Sequence, residues 1–251
     1  MLPAFDRDTV LPVVYRDDQL IAVHKPAGMV VHPTDLAREE TISLMLLVRR
    51  MVRQRVWPVH RLDRPTSGIV MFALKREAAG ELGRQLQAHA VAKRYLAVVR
   101  GVPADQVIDH PLKERPLYRT ELVLAEPLAA QTHLRRLAQV ELPVAVGRYP
   151  TSRYALVELA PVTGRRHQLR RHLKHIFHPI IGDTTYGDSV HNRFFRDQLG
   201  GSRLLLAAVA LTVTHPQSQV PLTITAPPEA SFTAVLQQLG MAPPTTSGSS
   251  A

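Results

Sequence analysis

Hydrophobic and polar residues follow each other along the chain in patterns that predict a strand-rich fold with a few helices. Short apolar runs bounded by turn residues predict strands at residues 19–24, 69–74, 95–99, 154–159, 204–213 and 222–226. Apolar residues at helical spacing predict a helix that follows a cap at Thr41, and two further helices over residues 77–90 and 165–176.

The patterns also suggest how the chain is divided. Between residues 103 and 150 the periodicity weakens and prolines recur, which predicts an inserted segment at about residues 104–153 within a single domain of residues 1–240. Residues 241–251 are rich in Pro, Thr, Ser and Gly, and we expect them to form a disordered tail.

Composition narrows the function. Among 251 residues, Lys and Arg number 31 and Asp and Glu 21, so the net charge of +10 favours a polyanionic partner, with nucleic acid ahead of a membrane. The absence of Cys excludes disulfides, a thiolate nucleophile, iron–sulfur clusters and Cys-based zinc sites. With no signal peptide and no apolar run long enough for a bilayer, we expect a soluble cytoplasmic protein.

The first candidate for catalysis is a polar loop, residues 60–68 with the sequence H-R-L-D-R-P-T-S-G, which leads into the predicted strand 69–74. Asp63 lies between Arg61 and Arg64, whose charges favour an ionised carboxylate. A carboxylate on a loop that is anchored by a rigid strand can act as a covalent nucleophile. The alternative is an Asp that caps a turn and pairs with Arg64 at the surface.

The second candidate is a basic segment, residues 163–172 with the sequence T-G-R-R-H-Q-L-R-R-H. Within the predicted helix, Arg166 and Arg170 are four residues apart and share a face. Because no Asp or Glu occurs in residues 159–182, these cations call for an anion, either a phosphate backbone or a buried carboxylate such as Asp63. The alternative is a solvated basic face.

Two further features bear on the chemistry. Tyr95 follows a basic pair at the start of a predicted strand, where it can stack on an extruded base or simply pack at the edge of a sheet. His172 and His175 have a spacing that suits a metal, but nearby cations and the lack of a carboxylate or Cys argue against one. No phosphate-binding glycine loop is present, so the chemistry is expected to need no cofactor.

Taken together, these segments resemble the RluA-type pseudouridine synthases, whose motifs occur here in the same order across residues 11–228. The family motif H-R-L-D-x-x-T-S-G corresponds to residues 60–68, and K-x-Y to residues 93–95. The motif T-G-R-x-H-Q-[IL]-R corresponds to residues 163–170, and H-P-[IL]-x-G-D to residues 178–183.

The resemblance implies an α+β domain with a single mixed, mostly antiparallel sheet, flanking helices and an inserted segment. It also implies that a flipped uridine in RNA is cleaved at its glycosidic bond and rejoined from C5 to C1′. A carboxylate suits the oxocarbenium character that develops at C1′. By resemblance, Asp63 is the catalytic aspartate, Arg170 is its salt-bridge partner, and Tyr95 lies against the base and can act as a general base. Whether Asp63 attacks C1′ or C6, or assists a glycal route, stays open.

Other residues of these motifs are implied to bind the substrate. They are Arg61, Arg64, Thr66, Ser67, Gly68, Lys93, Arg165, Arg166, His167 and Leu205. The apolar run at residues 204–206 is expected to form a wall for the flipped base. Relatives often carry His directly after this run, where this chain has Ala207, so one contact in the pocket is in doubt.

Residues 141–158 and the Arg64–Pro65 pair resemble a subgroup of the family that modifies tRNA. This implies a tRNA partner, with uridine 65 of the T-stem, near the acceptor, as the target. We further expect a monomer that needs no nucleotide cofactor and does not bind a membrane. Two alternatives stay open: a synthase of the same family that acts on ribosomal RNA, and a non-catalytic RNA-binding protein of the same fold.

Overall fold

The structure, a computed structural model, describes residues 5–32, 42–113 and 126–242, which form one sheet of ten strands and five helices. The strands are β1 (Val13–Arg16), β2 (Leu20–Lys25), β3 (Trp57–Pro58), β4 (Ser67–Ala73), β5 (Ala92–Arg100), β6 (Gln106–Asp109), β7 (Gln131–Leu142), β8 (Ser152–Pro161), β9 (Leu206–Thr214) and β10 (Pro221–Thr225). The helices are α1 (Leu44–Val52), α2 (Arg76–Gln87), α3 (Gln168–His175), α4 (Ser189–Gln198) and α5 (Ala230–Gln238).

The sheet is mixed and mostly antiparallel, which confirms the α+β fold expected from the sequence. Its order is β1-β2-β4-β9-β5-β8-β7-β6, with β10 beside β9 and β3 beside β4. Of the pairs between these strands, β4 with β9 is parallel and the others are antiparallel. Strand β9 comes late in the chain but lies between β4 and β5, so it joins the two halves of the sheet.

Alternation along the strands divides the core between the two faces of the sheet. On β5, Tyr95 and Ala97 contribute to a cluster that includes buried residues of α1 and α3, and we call this side the α1/α3 face. Leu96 and Val98 point to the opposite side, where they pack with residues of α4 and α5, and we call this the α4/α5 face. The predicted catalytic Tyr95 therefore belongs to the α1/α3 face.

The six strands predicted from apolar runs correspond to β2, β4, β5, β8, β9 and β10, while β1, β3, β6, β7, α4 and α5 were not predicted. Helix α1 is capped by Ser43, whose side chain accepts a hydrogen bond from Leu46 N at 3.3 Å, rather than by Thr41, which lies outside the described residues. Helix α3 begins at Gln168, later than predicted, because His167 has a left-handed φ of 54° at the N-cap. Arg166 is therefore not on the helical face that it was predicted to share with Arg170.

Parts of the predicted insertion and tail can be placed. Within residues 104–153, β6 and β7 extend the sheet beyond β8, whereas residues 114–125 lie outside the described residues. Met241, the first residue of the predicted tail, is 5% exposed and packs on the α4/α5 face; residues 243–251 lie outside the described residues. In the described part of the chain, no helix is long and apolar enough to cross a membrane.

Candidate active site

The loop that carries Asp63 connects β3 to β4 and is held by its own backbone. Thr66 N donates a hydrogen bond to Asp63 O at 3.0 Å, which closes a tight turn. Arg64 is bonded twice to the turn after β2, since its Nε donates to Gly28 O at 3.0 Å and its carbonyl accepts from Gly28 N at 2.8 Å. The buried Lys25 also donates to Arg64 O, at 3.1 Å. Arg64 therefore supports the loop, and the structure does not pair it with Asp63 as the surface alternative supposed.

The carboxylate of Asp63 faces two basic side chains from a different part of the chain. Its Oδ2 is 3.4 Å from Arg170 Nη1, and its Oδ1 is 3.8 Å from His167 Nε2. The Asp63 side chain keeps 21% of its surface exposed, whereas the Arg170 side chain keeps 5%. The structure thus brings two of the predicted catalytic residues together and leaves the carboxylate accessible.

Arg170 is fixed by a second carboxylate, that of Asp183, which was not predicted as a site residue. Its Nε and Nη2 donate to the two oxygens of Asp183 at 2.7 and 2.8 Å, in a fork-shaped pair. Asp183 Oδ1 also accepts from Thr185 N and Tyr186 N. The signal in the sequence was the last residue of the H-P-I-I-G-D motif, but its partner could not be identified from spacing alone.

Electrostatics keep this buried pair charged. Burial acts to lower the pKa of Arg170, but the hydrogen bonds and charge of Asp183, together with the charge of Asp63, outweigh it and raise the pKa above its ordinary value. Burial likewise acts to raise the pKa of Asp183, but its bonds to Arg170 and to backbone amides lower the pKa below the usual range. The guanidinium beside Asp63 is therefore permanently cationic and held in one orientation.

His167 and Tyr186 complete the surroundings of Asp63. His167 Nδ1 is 3.0 Å from the Tyr186 hydroxyl, and the Arg170 guanidinium lies 5.1 Å from the centre of the Tyr186 ring. Burial, only partly offset by the charge of Asp63, lowers the pKa of His167, so its imidazole is neutral at pH 7. The cationic neighbour of Asp63 at neutral pH is therefore Arg170, and His167 offers a polar contact.

Tyr95 lies near this group, in β5. It is 8% exposed, and burial together with the nearby charge of Asp63 raises the pKa of its hydroxyl above the ordinary value. The hydroxyl is therefore protonated at neutral pH in the free protein. Lys93, two residues earlier, is half-buried, and its charge contributes to lowering the pKa of the adjacent His60.

Three residues predicted to bind substrate lie at the start of β4 and support it. Thr66 and Ser67 are buried, and Ser67 Oγ accepts a hydrogen bond from Arg203 Nη2 at 2.6 Å. Gly68 has a φ of 114°, and a Cβ at this position would collide with the backbone of Ala208, its partner across the β4–β9 pair. Glycine is needed here because the two strands approach closely and the conformation is left-handed.

The start of α3 is held to the sheet by the buried Gln168. Its Oε1 accepts from Thr163 Oγ1 at 2.7 Å and from Arg165 N at 3.0 Å, while its Nε2 donates to Gln131 O and Thr132 Oγ1 on β7. These four bonds position the turn ahead of Arg170. The predicted substrate contact Arg165 donates through Nε to Ala129 O at 3.1 Å, whereas Arg61 and Arg166 have exposed side chains.

The structure corrects the prediction for Leu205. Its side chain is fully buried on the α4/α5 face beside Phe195, whereas Leu204 and Leu206 pack on the α1/α3 face with Tyr95. The reason is the alternation of side chains along an extended segment, which a continuous apolar run conceals. Ala207 also packs on the α4/α5 face, so the departure from the family pattern there does not alter the surroundings of Asp63.

The described residues contain no group of three or more His, Asp or Glu side chains that could hold a metal ion. The local chemistry is therefore that of one accessible carboxylate, one fixed guanidinium, a neutral imidazole and a protonated phenol. Such a set can place a carboxylate nucleophile beside an extruded base and stabilise its charge.

Comparison with known proteins shows which family this chain resembles. Residues 19–175 match the profile of a family described as RNA pseudouridylate synthase. The chain is 47% identical over 234 residues to a tRNA pseudouridine synthase C of Haemophilus ducreyi, covering 92% of this chain and 96% of that protein. A protein of the same name from Pectobacterium carotovorum is 48% identical over 236 residues, and the chain covers 63% of its length.

A solved structure shares the fold. The human RNA pseudouridylate synthase domain containing 1 superimposes with a TM-score of 0.70 and 27% sequence identity. The match covers 94% of this chain and 90% of that chain.

Proposed function

The chain belongs to the RNA pseudouridylate synthase family, and we propose that it is the isomerase that converts uridine 65 of tRNA to pseudouridine. The observation that carries this proposal is the accessible carboxylate of Asp63, 3.4 Å from an Arg170 that is itself fixed by Asp183. RNA binding alone would not require this arrangement, since RNA phosphates are bound by cations and not by a carboxylate that is oriented by an arginine.

In the proposed reaction, the bond from N1 of the base to C1′ breaks, the base turns, and a bond from C5 to C1′ forms. The C5 proton leaves to solvent and N1 takes up a proton from solvent, so the product is an isomer of the substrate. Asp63 stabilises the electron-deficient sugar or base during this exchange. Arg170 keeps the carboxylate charged and oriented. Tyr95 packs against the flipped base; because its hydroxyl is protonated in the free enzyme, it can remove the C5 proton only after losing its own.

The tRNA substrate is supported by the similarity to proteins named tRNA pseudouridine synthase C and by the net charge of +10. Residues 143–151, which connect β7 to β8, lie within the segment that resembles the tRNA-modifying subgroup. In this connection the Arg148 guanidinium lies 4.7 Å from the centre of the exposed Tyr149 ring. An exposed cation on an aromatic ring suits contact with RNA, and we assign this segment to the selection of tRNA over ribosomal RNA.

Position 65 lies within a paired stem, so access to it requires a base to be unpaired and extruded, at a cost of a few kcal/mol. The exposed Arg166, Arg148 of the β7–β8 connection and Arg153 near the start of β8 can offset this cost through contacts with flanking phosphates. We further propose that the protein acts as a monomer in the cytoplasm without a nucleotide cofactor, and that residues 1–240 form the catalytic domain with its insertion at residues 104–153.

Tritium release tests the chemistry, because joining C5 to C1′ must expel the hydrogen at C5. Purified protein is incubated with total tRNA or ribosomal RNA that carries tritium at C5 of uridine. Release from tRNA supports the proposal, release from ribosomal RNA alone identifies the family alternative, and no release from either identifies a binding protein. The position is then tested by mapping pseudouridines by carbodiimide-stop sequencing in cells with and without the protein; an unchanged tRNA position 65 would overturn the assignment of the site.

A further inference from the structure

The C-terminal end of α3 presents an aromatic side chain at a backbone position that suits glycine. His178 N donates to Leu173 O at 2.9 Å and Phe177 N donates to Lys174 O at 3.1 Å, which together form a Schellman motif. Phe177 occupies its left-handed position, with a φ of 63°. Glycine is the usual residue there, because a Cβ, and a bulky side chain above all, strains this conformation.

Phe177 gains little from the fold in return for this strain. It is 84% exposed, so its ring stays largely in water instead of contributing to the core. The strained backbone of Phe177 therefore costs stability that burial of its ring does not offset. Backbone strain of this kind is characteristic of functional positions, because a residue that lowers stability is retained when binding or catalysis depends on it.

The surroundings of Phe177 indicate what it binds. Together with Lys174, Arg100 and Pro179 it lines an open cavity of about 360 Å³ beside the start of α4. Asp188, the acidic residue of this cavity, is bonded to Arg100 Nη1 at 2.9 Å and to the first amides of α4. The charge of Asp188 is thus balanced by Arg100, and the charge of Lys174 is available to an anionic ligand next to the exposed ring.

The location fits contact with the substrate. Phe177 lies seven residues beyond Arg170, so the helix carries one residue of the candidate active site near its start and the exposed ring just after its end. At a rise of 1.5 Å per residue, the two are separated by roughly 10 Å along the helix, which is the span of a few nucleotides.

We propose that Phe177 is a stacking platform for an unpaired nucleobase that flanks the target uridine, with Lys174 neutralising the adjoining phosphate. An exposed aromatic ring beside a cation is the combination that binds the face of a splayed base and its backbone. A base released from its stem when the target is extruded is a suitable occupant, since it has lost its own stacking partner. The inference rests on the proposed function to the extent that the ligand is the RNA substrate.

Binding of total tRNA by Phe177 variants tests the proposal. F177G and F177L should bind about five- to tenfold more weakly than the wild type, because both remove the aromatic face, whereas F177Y should stay within about twofold. F177G should also be at least as stable as the wild type to heat, since it relieves the left-handed strain, so its weaker binding would not come from misfolding. V220A, which trims another exposed apolar residue, is the matched control and should bind as the wild type.

A spectroscopic readout isolates stacking from general affinity. F177W places an exposed indole at the platform, and its added fluorescence relative to the wild type should be quenched when tRNA binds. K174Q should lower the salt dependence of binding by about one unit. If F177G and F177L bind as tightly as the wild type, or if the F177W signal is unchanged by tRNA, the platform is wrong. Tritium release at saturating tRNA tests the proposed function separately. If the wild type releases no tritium while F177G and F177L still bind tRNA more weakly, the proposed function is wrong and the stacking platform is supported.

Discussion

Arg170 donates two hydrogen bonds to Asp183, at 2.7 and 2.8 Å, and reaches Asp63 through its remaining nitrogen at 3.4 Å. The carboxylate of Asp183 thus fixes the guanidinium in an orientation in which its third nitrogen faces the carboxylate of Asp63. This relationship joins the motif at residues 163–170 to the motif at residues 178–183 and makes them one unit. It also separates the two acidic roles, since Asp183 is 2% exposed and Asp63 is accessible.

Replacing Asp63 tests the nucleophile. D63N should abolish turnover, because the amide cannot act as a nucleophile or stabilise a developing cation, while tRNA affinity should remain within about threefold of wild type. Tritium release under single-turnover conditions measures the first effect and filter binding the second. Residual single-turnover activity above a few per cent would remove Asp63 from this role.

Arg170 and Arg166 are expected to have different functions even though they lie four residues apart. R170A should lower the rate far more than R166A, since Arg170 contacts Asp63 and Arg166 is exposed ahead of the helix. R166A should instead weaken tRNA binding and reduce the salt slope by roughly one unit. Rates measured at saturating tRNA separate the two, and equal losses of rate would show that both residues serve the same role.

Asp183 should contribute to folding as well as to the site. D183A leaves the buried Arg170 without its main partner, and removing one member of a buried pair costs about 3–5 kcal/mol of unfolding free energy. D197A provides a control, because it removes the exposed partner of Arg196 and should change stability little. Urea denaturation measures both; a D183A protein as stable as D197A would contradict the bracing of Arg170 by Asp183.

Two glycines offer a matched pair for the close contact between β4 and β9. G68A should destabilise the protein and impair activity, because the added Cβ collides with Ala208 at the strand that carries the Asp63 loop. G80A, in α2, places its Cβ in open space and should stabilise the protein by about 0.5–1 kcal/mol through helix propensity. Thermal unfolding of both variants measures the change in stability. A G68A protein with wild-type stability and activity would show that β4 and β9 can move apart at this position without loss of either property.

The stability of the protein should fall in acid partly because of His60. Burial, with the charge of Lys93, lowers the pKa of His60 to about 3 in the folded state, whereas unfolded His titrates near 6.5. As the pH falls, His60 therefore takes up a proton in the unfolded chain before it does so in the folded protein. The contribution of this histidine to the free energy of unfolding is full above about pH 6.5 and is lost progressively down to about pH 3. Other buried histidines act in the same direction, so the variant comparison isolates His60.

H60Q should remove roughly 2 kcal/mol of the stability difference between pH 7 and pH 5, which corresponds to about 1.5 units of pKa. H133Q serves as the matched control, because it makes the same substitution at an exposed position on β7, outside the core. Urea unfolding at the two pH values measures the difference. The same slope in wild type and H60Q would show that this imidazole titrates alike in both states.

The sequence predicted those parts of the site that depend on residue type and short spacing. Asp63, Tyr95 and Arg170 were identified from their motifs, and the strands around them from apolar runs. The pairing of Arg170 with Asp183 was not predicted, because it depends on how α3 packs against the segment that follows it. Leu205 was assigned to the wrong face, since a run of three leucines has no alternation to show which side each occupies.

The start of α3 illustrates a different limit. Residues 165–176 have helical periodicity throughout, but the first three residues do not join the helix. Gln168 bonds to Thr163 and to the backbone of Arg165, and it reaches β7 at the same time. A side chain with partners this distant in the chain competes with the helix in a way that local propensity does not record.

The position of β9 has a consequence for how the protein is made. Synthesis proceeds from the N-terminus, so β1, β2 and β4, and then β5 to β8, leave the ribosome before the strand that lies between the two groups. Until residues 206–214 have emerged, the start of β4 and the facing edge of β5 lack β9, the strand that pairs with both, so Asp63 and Tyr95 are not held in one sheet. The candidate active site can therefore assemble only once nearly all of the protein has been translated, and a chain that stops before β9 leaves the start of β4 and the edge of β5 unpaired, which favours aggregation.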